Sequence, residues 1–589
     1  MKQILLGNEA VARGAYEAGV KVISSYPGTP STEITESAAA FERIHCEWST
    51  NEKVGMEVAI GASIRGARAM SCMKHVGVNV AADPLFTASY IGVNGGLVVV
   101  AADDPGMHSS QNEQDSRHYA RAAKVPMLEP SDSQECKDFT IKAFELSEKY
   151  DTPVMLRLHT RVSHSRSLVD LGEPLDIMVM PYTKNIAKYV MMPGMAIQRH
   201  VEVEKRMIAT ANDSSAFPTE IGLHKEISES SDLGIITSGA AYNYVREALP
   251  EASVLKLGLV WPLPEALIRS FAAKVKRLII VEELDAFLEK EIAALGIPCE
   301  GKSLFSLNGE YSTDMIRKVL SGEASPEKAI DTSSLPVAPG RPPVMCAGCP
   351  HKGLFMALSR LKVQVMGDIG CYTLGALPPT SAMDACVCMG ASIGMAHGFD
   401  KATDGVDSSR TVAVIGDSTF LHSGITNLLN AVYNRSNITV IILDNSITGM
   451  TGHQQNASTG FDIRLAPAPA VNLEKLCESV GVTSIRTFDP VDTALAQTVI
   501  KEEINKSGVS VIIARRPCAL IPSGKGNKNE VTRVNYDKCT ACGQCIRIMC
   551  PALAAGDDKK PVIDSETCNS CGLCINVCKF GALSKGGVS

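Results

Sequence analysis

The chain has 589 residues, 45% of them apolar, and a formal charge of −7. At about 150 residues per domain this implies roughly four domains, with enough apolar surface to build a core in each. No apolar run approaches the roughly 18 residues that cross a bilayer, and the stretch MKQILLGNEA does not show the long apolar run and small-residue cleavage site expected of a secretory signal. Mild acidity with no basic block excludes nucleic acid as the main partner, and the expectation is a cytoplasmic protein with no membrane contact.

In chain order, short β-branched runs end in polar residues or Gly: GLVVVAADD (96–104), LGIITSG (233–239), RLIIVEE (277–283), TVAVIGDS (411–418), ITVIILDN (438–445) and VSVIIARR (509–516). Between them, stretches such as VAIGASIRGARA (58–69) and GITNLLNAVYN (424–434) carry helical periodicity. This alternation predicts an α/β fold of several doubly wound parallel-sheet domains, whose ligands sit where strands end. TSGAAYN (237–243) and IVEELDAFLEKEI (280–292) also read as strands, and Glu282 and Glu283 as a solvated strand end without chemistry. Three breaks follow: 190–228 reads as a long connection, SSLPVAPGRPPV (333–344) as a stiff linker with four prolines, and PSGKGNKNEV (522–531) as a polar linker. The predicted domains are 1–190, 229–325, 340–521 and 532–589.

The run TVAVI (411–415) ends in Gly416-Asp417-Ser418, and 28 residues after Asp417 comes Asn445, at the end of the next strong strand. Asp and Asn oxygens are hard ligands that suit Mg²⁺ shared with a phosphate. The small residues of SITGMTG (446–452) let the backbone approach a diphosphate. A lone Gly-Asp is common in α/β proteins and signals only a turn; the spaced strand–GD–helix–strand–N pattern is more specific.

Of 19 cysteines, eight lie in the last 51 residues. A reducing cytosol disfavours disulfides, so clustered cysteines read as metal ligands. They form tandem runs, Cys539-x2-Cys542-x2-Cys545-x4-Cys550-Pro551 and Cys568-x2-Cys571-x2-Cys574-x3-Cys578. Zinc knuckles carry two cysteines each and not three at this spacing. In two-cluster iron–sulfur domains the fourth cysteine of each run ligates the other cluster. One 4Fe–4S cluster is therefore assigned to Cys539, Cys542, Cys545 and Cys578, the other to Cys550, Cys568, Cys571 and Cys574. Such a tail, a small α+β ferredoxin-like domain, is an electron conduit.

Longer motifs carry a resemblance. GDS…N looks like a thiamine diphosphate motif. MCAGCPHKG (345–353), GDIGCYTLG (367–375) and CMGASIGMAHG (388–398) resemble the corresponding domain of the 2-oxoacid:ferredoxin oxidoreductases. GNEAVARGAYEAGVKVISSYPGTPSTEI (7–34) resembles their pyrimidine-binding domain. With KHVGVNVAADPL (74–85), DDPGMHSSQNEQDSRHYA (103–120) and the fused tail, the likeness is to large (alpha) subunits of the indolepyruvate branch, over essentially the whole chain.

The resemblance implies that Asp417 and Asn445 bind Mg²⁺ through side chains and Ile447 through its carbonyl, beside Gly416 and Ser418 at the diphosphate. It makes Glu57, with Glu52 as rival in the same stretch, the carboxylate that hydrogen-bonds the cofactor's aminopyrimidine and favours its imino tautomer. It suggests a third cluster on Cys346, Cys349, Cys371 and Cys518, and a transketolase C-terminal-like role for 229–325. Cys386 and Cys388 read as core residues, and His75, His351 and His397 as structural histidines. The implied reaction is oxidative decarboxylation of an aryl 2-oxoacid (indolepyruvate, phenylpyruvate or 4-hydroxyphenylpyruvate) with coenzyme A. Its products are an aryl-acetyl-CoA, CO2 and reduced ferredoxin, as in aromatic amino acid catabolism. A smaller beta subunit and an α2β2 assembly are implied as well. The alternatives are the same chemistry on pyruvate, 2-oxoglutarate or branched-chain oxoacids, a non-oxidative decarboxylase, or a non-catalytic electron-transfer subunit.

Overall fold

The structure, a computed structural model, describes residues 1–216, 222–322, 333–337, 340, 343–402, 411–527 and 530–586. Parts of the three predicted breaks (217–221, 338–339, 341–342 and 528–529) and the chain ends 323–325 and 587–589 of two predicted domains lie outside the described residues. The chain divides into two units, Met1–Ser334 and Leu335–Ser589. No helix among the described residues is long and apolar enough to cross a membrane.

In the first unit, β1 (Lys2–Leu6) leads into α1 (Gly7–Glu17), followed by β2 (Val22–Ser25), β3 (His45–Trp48), α2 (Glu52–Arg65), β4 (Ala69–Lys74), β5 (Leu97–Asp103), β6 (Met127–Leu128), α3 (Ser133–Tyr150), β7 (Val154–His159) and β8 (Arg166–Asp170). Then come α4 (Pro193–Ser214), β9 (Lys225–Ile227), β10 (Leu233–Thr237), α5 (Gly239–Ala248), β11 (Ser253–Lys256), β12 (Leu259–Trp261), β13 (Arg277–Val281) and α6 (Phe287–Ala294). A seven-stranded sheet runs β12-β6-β7-β5-β4-β2-β3, with a four-stranded sheet β13-β10-β11-β9 beside it. All seven residues of β5 are buried, as expected of a central parallel strand covered on both faces. β12, which comes from within 229–325, pairs antiparallel with β6 and forms the edge of the seven-stranded sheet. Met127, Ile236, Leu255, Val260 and Phe287 then pack in one core.

Several sequence expectations change here. The stretch 190–228 is not simply a connection, because α4 runs for 22 residues inside it. Its buried stripe (Val203, Arg206, Met207, Thr210) contains an arginine, and Ile197, Val201 and Ile208 lie exposed on the other side, so the sequence shows no clean helical period. Of TSGAAYN only Thr237 is strand, since α5 begins at Gly239; likewise IVEELDAFLEKEI leaves β13 at Val281 and enters α6 at Phe287.

In the second unit, α7 (His351–Leu361), β14 (Gln364–Met366), α8 (Ala391–Ala402), β15 (Thr411–Gly416), α9 (Ile425–Tyr433), β16 (Thr439–Asp444), β17 (Ser484–Phe488), α10 (Thr493–Glu503) and β18 (Ser510–Arg515) build a five-stranded sheet in the order β14-β15-β16-β18-β17. Every neighbouring pair in it is parallel. Alternation along β15 sends Val412 and Val414 to one face, with Leu354 and Phe355, and Ala413 and Ile415 to the other, with Ile393 and Phe420. The tail carries two antiparallel ribbons, β19 (Thr532–Val534) with β22 (Leu583–Lys585) and β20 (Leu553–Ala555) with β21 (Pro561–Ile563).

Candidate functional site

β15 and β16 are neighbours in register Gly416↔Leu443, so the residues that follow their ends, Asp417 and Asn445, emerge side by side. Both are buried. The Asn445 amide lies 3.2 Å from Asp417 Oδ1 and 2.8 Å from the Ile447 carbonyl oxygen. In one orientation its NH2 donates to both. In the other its oxygen joins theirs in a trio of hard donors, the set that a divalent ion takes. Asp417 Oδ2 is buried without a hydrogen-bond donor. Burial, reinforced by nearby Asp444, pushes the Asp417 carboxyl up to about 8. A buried carboxylate in this state calls for a cation, and the donor set fits Mg²⁺. Ser418 Oγ accepts from Thr448 Oγ1 at 2.9 Å, tying the GDS turn to the 446–452 loop. In that loop a Cβ on Gly449 would lie 3.5 Å from Cys371 Sγ and 3.6 Å from Asn445 Nδ2, so the glycine keeps this corner open.

Around the same corner stand Cys346, Cys349, Cys371 and Cys518. Cys518 N–H donates to the Asn445 carbonyl at 2.9 Å and Cys349 N–H to that of Cys346 at 3.1 Å. Cys371 is within electrostatic reach of Cys518 and Cys346, Cys349 of Cys346 and Cys371, and Cys518 of Asp417. The four sequence-predicted cysteines are thus brought together, next to the carboxylate site. Cys386 and Cys388 are not core: they sit in an irregular segment, Cys386 half-buried and Cys388 exposed. Sequence reading gave Asp368 no role. It is buried, accepts from the N–H groups of Gly390 (2.7 Å) and Ser392 (2.9 Å), and so caps the start of α8.

The tail cysteines separate into two cavities. Cys539, Cys542, Cys545 and Cys578 line one; Cys550, Cys568, Cys571 and Cys574 line the other, with Cys349 and Lys352 in its wall. These are the crossed sets expected from the spacing. The two loops repeat one backbone pattern. Ala541 and Gly543 in the first, and Ser570 and Gly572 in the second, all have positive φ, at equivalent positions. Alternating hands turn successive N–H groups toward a common concavity, a nest that fits an anionic cluster. Ser570 N–H reaches Cys568 Sγ at 3.4 Å and Ala582 N–H reaches Cys578 Sγ at 3.3 Å. The extra residue before Cys550 is absorbed by a 3-10 turn, Ile546–Ile548, ending in left-handed Met549.

In the first unit, Glu57 and Glu52 part company. Glu57 is 47% exposed and paired with Lys53 one turn earlier. Glu52 opens α2, is buried, and packs so tightly on Gly77 that a Cβ there would lie 2.8 Å from its carboxylate. Each of the three histidines meets a neighbour in the fold. His75 contacts Asn112, His351 stacks edge-on against Tyr372, and His397 meets Ser436 Oγ at 2.7 Å. Burial pushes His351 down to about 4, so it is neutral.

Glu282 and Glu283 are not a solvated strand end. Both are buried in a charge network that no local pattern reveals. Arg117 bridges Asp115 and Glu282, Arg157 bridges Asp103 (2.6 Å) and Glu129 (2.9 Å), and His159 meets Glu283 at 2.9 Å.

Family models match three regions: a thiamine pyrophosphate enzyme C-terminal TPP-binding domain over 368–514, a pyruvate flavodoxin/ferredoxin oxidoreductase thiamine-diphosphate-binding domain over 13–219, and a 4Fe-4S binding domain over 561–584. The chain is 40% identical to the indolepyruvate oxidoreductase subunit IorA of Archaeoglobus fulgidus, over 98% of this chain and 96% of that protein. It is 41% identical to the subunit of the same name from Methanothermobacter marburgensis, over 99% and 97%. A 2-oxoglutarate:ferredoxin oxidoreductase from Magnetococcus marinus, solved with 2-oxoglutarate, coenzyme A and succinyl-CoA, aligns at 20% identity and a TM-score of 0.46, over 55% of this chain and 65% of that one. With thiamine-diphosphate-binding domains and a 4Fe–4S motif on one polypeptide, the chain belongs to the IorA family, the alpha subunits of indolepyruvate oxidoreductase, enzymes that act on 2-oxoacids.

Proposed function

We propose that this chain, assembled with a smaller beta subunit as α2β2 in the cytoplasm, catalyses ferredoxin-dependent oxidative decarboxylation of aryl 2-oxoacids. Indolepyruvate, phenylpyruvate and 4-hydroxyphenylpyruvate are converted with coenzyme A to aryl-acetyl-CoA and CO2, and external ferredoxin is reduced. The observation that carries the reading is the meeting of the Asp417/Asn445/Ile447 oxygens with Cys346, Cys349, Cys371 and Cys518 at one corner of the second unit. A site for a diphosphate-bound cation and a site for a one-electron carrier are what such a reaction needs side by side.

Thiamine diphosphate, when bound, supplies a nucleophilic carbon and a sink for the electron pair released as CO2 leaves. The chain's own residues do the rest. Asp417, Asn445 and the Ile447 carbonyl would hold Mg²⁺, and the 446–452 loop would give backbone to the diphosphate. For the aminopyrimidine, burial favours Glu52 over the exposed, Lys53-paired Glu57. A carboxylate kept from water binds a ring nitrogen more strongly and holds its proton in place. The four cysteines at 346, 349, 371 and 518 would take a cluster as a one-electron carrier, and the two tail sets would take one 4Fe–4S cluster each, three in all.

The test is a panel of 2-oxoacids assayed on the two-subunit enzyme with coenzyme A and a viologen dye. The three aryl acids are expected to show the highest kcat/KM. Preference for pyruvate, 2-oxoglutarate or a branched-chain acid would overturn the substrate assignment, and turnover without an electron acceptor would overturn the reaction.

A further inference from the structure

Lys352 is the second residue of α7, three beyond Cys349, and is 6% exposed. Its Nζ donates to the Met549 carbonyl at 2.9 Å, immediately before Cys550. The side chain lines the cavity walled by Cys550, Cys568, Cys571 and Cys574. Within electrostatic reach of it lie Cys550 and Cys571 of the tail set and Cys349 and Cys346 of the set at the Asp417 corner. Among the described residues it has no carboxylate partner.

This is a costly place for a cation. A buried ammonium without a counter-charge loses its hydration for nothing in return, and the first turn of a helix is the positive end of the dipole. Burial pushes Lys352 down from its ordinary value, and negative charge on these cysteines pulls it back up. A cubane bound by four thiolates is anionic in both redox states and more so when reduced, and its net charge is one of the quantities that set its potential.

We infer that Lys352 is the electrostatic link between the two cysteine sets: wedged between them, its ammonium stabilises an added electron on either, and so raises both reduction potentials together. The inference rests on the reading of both sets as cluster ligands. The step it favours adds one electron and no proton to a cluster, the extra charge being met by the ammonium already in place. Lys352 is a positioning residue, touching neither substrate nor thiamine.

The experiment is an EPR-monitored redox titration of the assembled two-subunit enzyme, comparing the parent with Lys352→Met, which conserves volume and removes charge, and Lys352→Arg, which keeps charge. In the Met variant the reduced-to-oxidised ratio of both clusters at a fixed potential should fall about tenfold, equivalent to ~59 mV for a one-electron couple. The cluster of Cys539, Cys542, Cys545 and Cys578 should not move, and the Arg variant should match the parent. Unchanged iron with neither potential moved, or only one, would overturn the inference. Should the Met variant lose iron, Lys352→Gln provides the same reading. Iron loss in both would also overturn it, because the side chain would then be holding the domains and not setting potentials. Iron for fewer than three clusters in the parent would defeat the underlying ligand assignment, a result separable from three clusters with unmoved potentials.

Discussion

Asn445 holds its side-chain amide 3.2 Å from Asp417 Oδ1, across the ends of two adjacent parallel strands. The pair exists because β15 and β16 are hydrogen-bonded in register and β16 runs only one residue further. It supplies two of the three oxygens at the proposed ion site, and the Asn445 carbonyl accepts from the N–H of Cys518, a ligand of the proposed third cluster.

Removing the carboxylate at that point separates the two cofactors. Asp417→Ala should weaken thiamine diphosphate and Mg²⁺ binding by roughly a hundredfold or more, by the scale that metal-site substitutions reach. Its iron content should stay at the parent level. Calorimetric titration of the cofactor beside iron quantitation checks both, and parallel loss of iron would mean that the corner has collapsed instead.

The two glutamates of α2 give a paired test. Glu52→Gln should lower kcat by about 10²- to 10⁴-fold, the range for a lost acid–base group. Glu57→Gln should change it little, because a solvent-screened pair with Lys53 on the helix surface contributes little. If instead Glu57→Gln is the inactive variant, the assignment from burial is wrong.

For the tail, Cys578→Ala should alter only the EPR signal of the cluster shared with Cys539, Cys542 and Cys545. Cys550→Ala should alter only that of the other tail set. Exchange of the two spectral effects would refute the crossed ligation. Cys518→Ala should lower bound iron by one cluster's worth while both tail signals persist.

Arg157 is buried among Asp103, Glu129 and Asp115 in the first unit. Arg157→Met leaves buried carboxylates unpaired and should cost about 3–5 kcal/mol, seen as a lower Tm for that unit's transition. The pH dependence follows from Glu129. Burial by itself would raise its carboxyl, but Arg157, His159 and Arg117 together outweigh this and hold it below the ordinary 4.5. A depressed carboxyl stabilises the fold above its unfolded value, and that contribution is lost as pH falls from about 4.5 through the lower folded value. The parent should therefore lose Tm over this acid window, and the variant should lose less there.

The sequence announced what local chemistry dictates. The β-branched runs at 411–415 and 438–445 became β15 and β16 because a strand covered on both faces leaves no polar alternation to hide it. The cysteine triplets were legible because two-residue gaps serve a geometry confined to a few residues. What escaped was non-local. Glu282 and Glu283 look solvated until Arg117 and His159, more than 120 residues away, close over them. Glu52 and Glu57 are five residues apart on one helix and so point to different sides, and only packing against Gly77 distinguishes them. Lys352 gave the weakest sign of all, a lysine in CPHKG whose meaning depends on a tail nearly 200 residues later.

Because β12 completes the seven-stranded sheet from a point far downstream, the first 190 residues cannot be excised as a free-standing piece. A truncation before residue 253 would leave β6 as a bare, two-residue rim and strip Leu257 and Val260 from the shared interior. Engineers who wish to graft the amino-terminal half onto another scaffold, or to swap it between homologues, must carry the chain through at least Trp261. Gene fission or recombination in this lineage faces the same constraint on where it can cut.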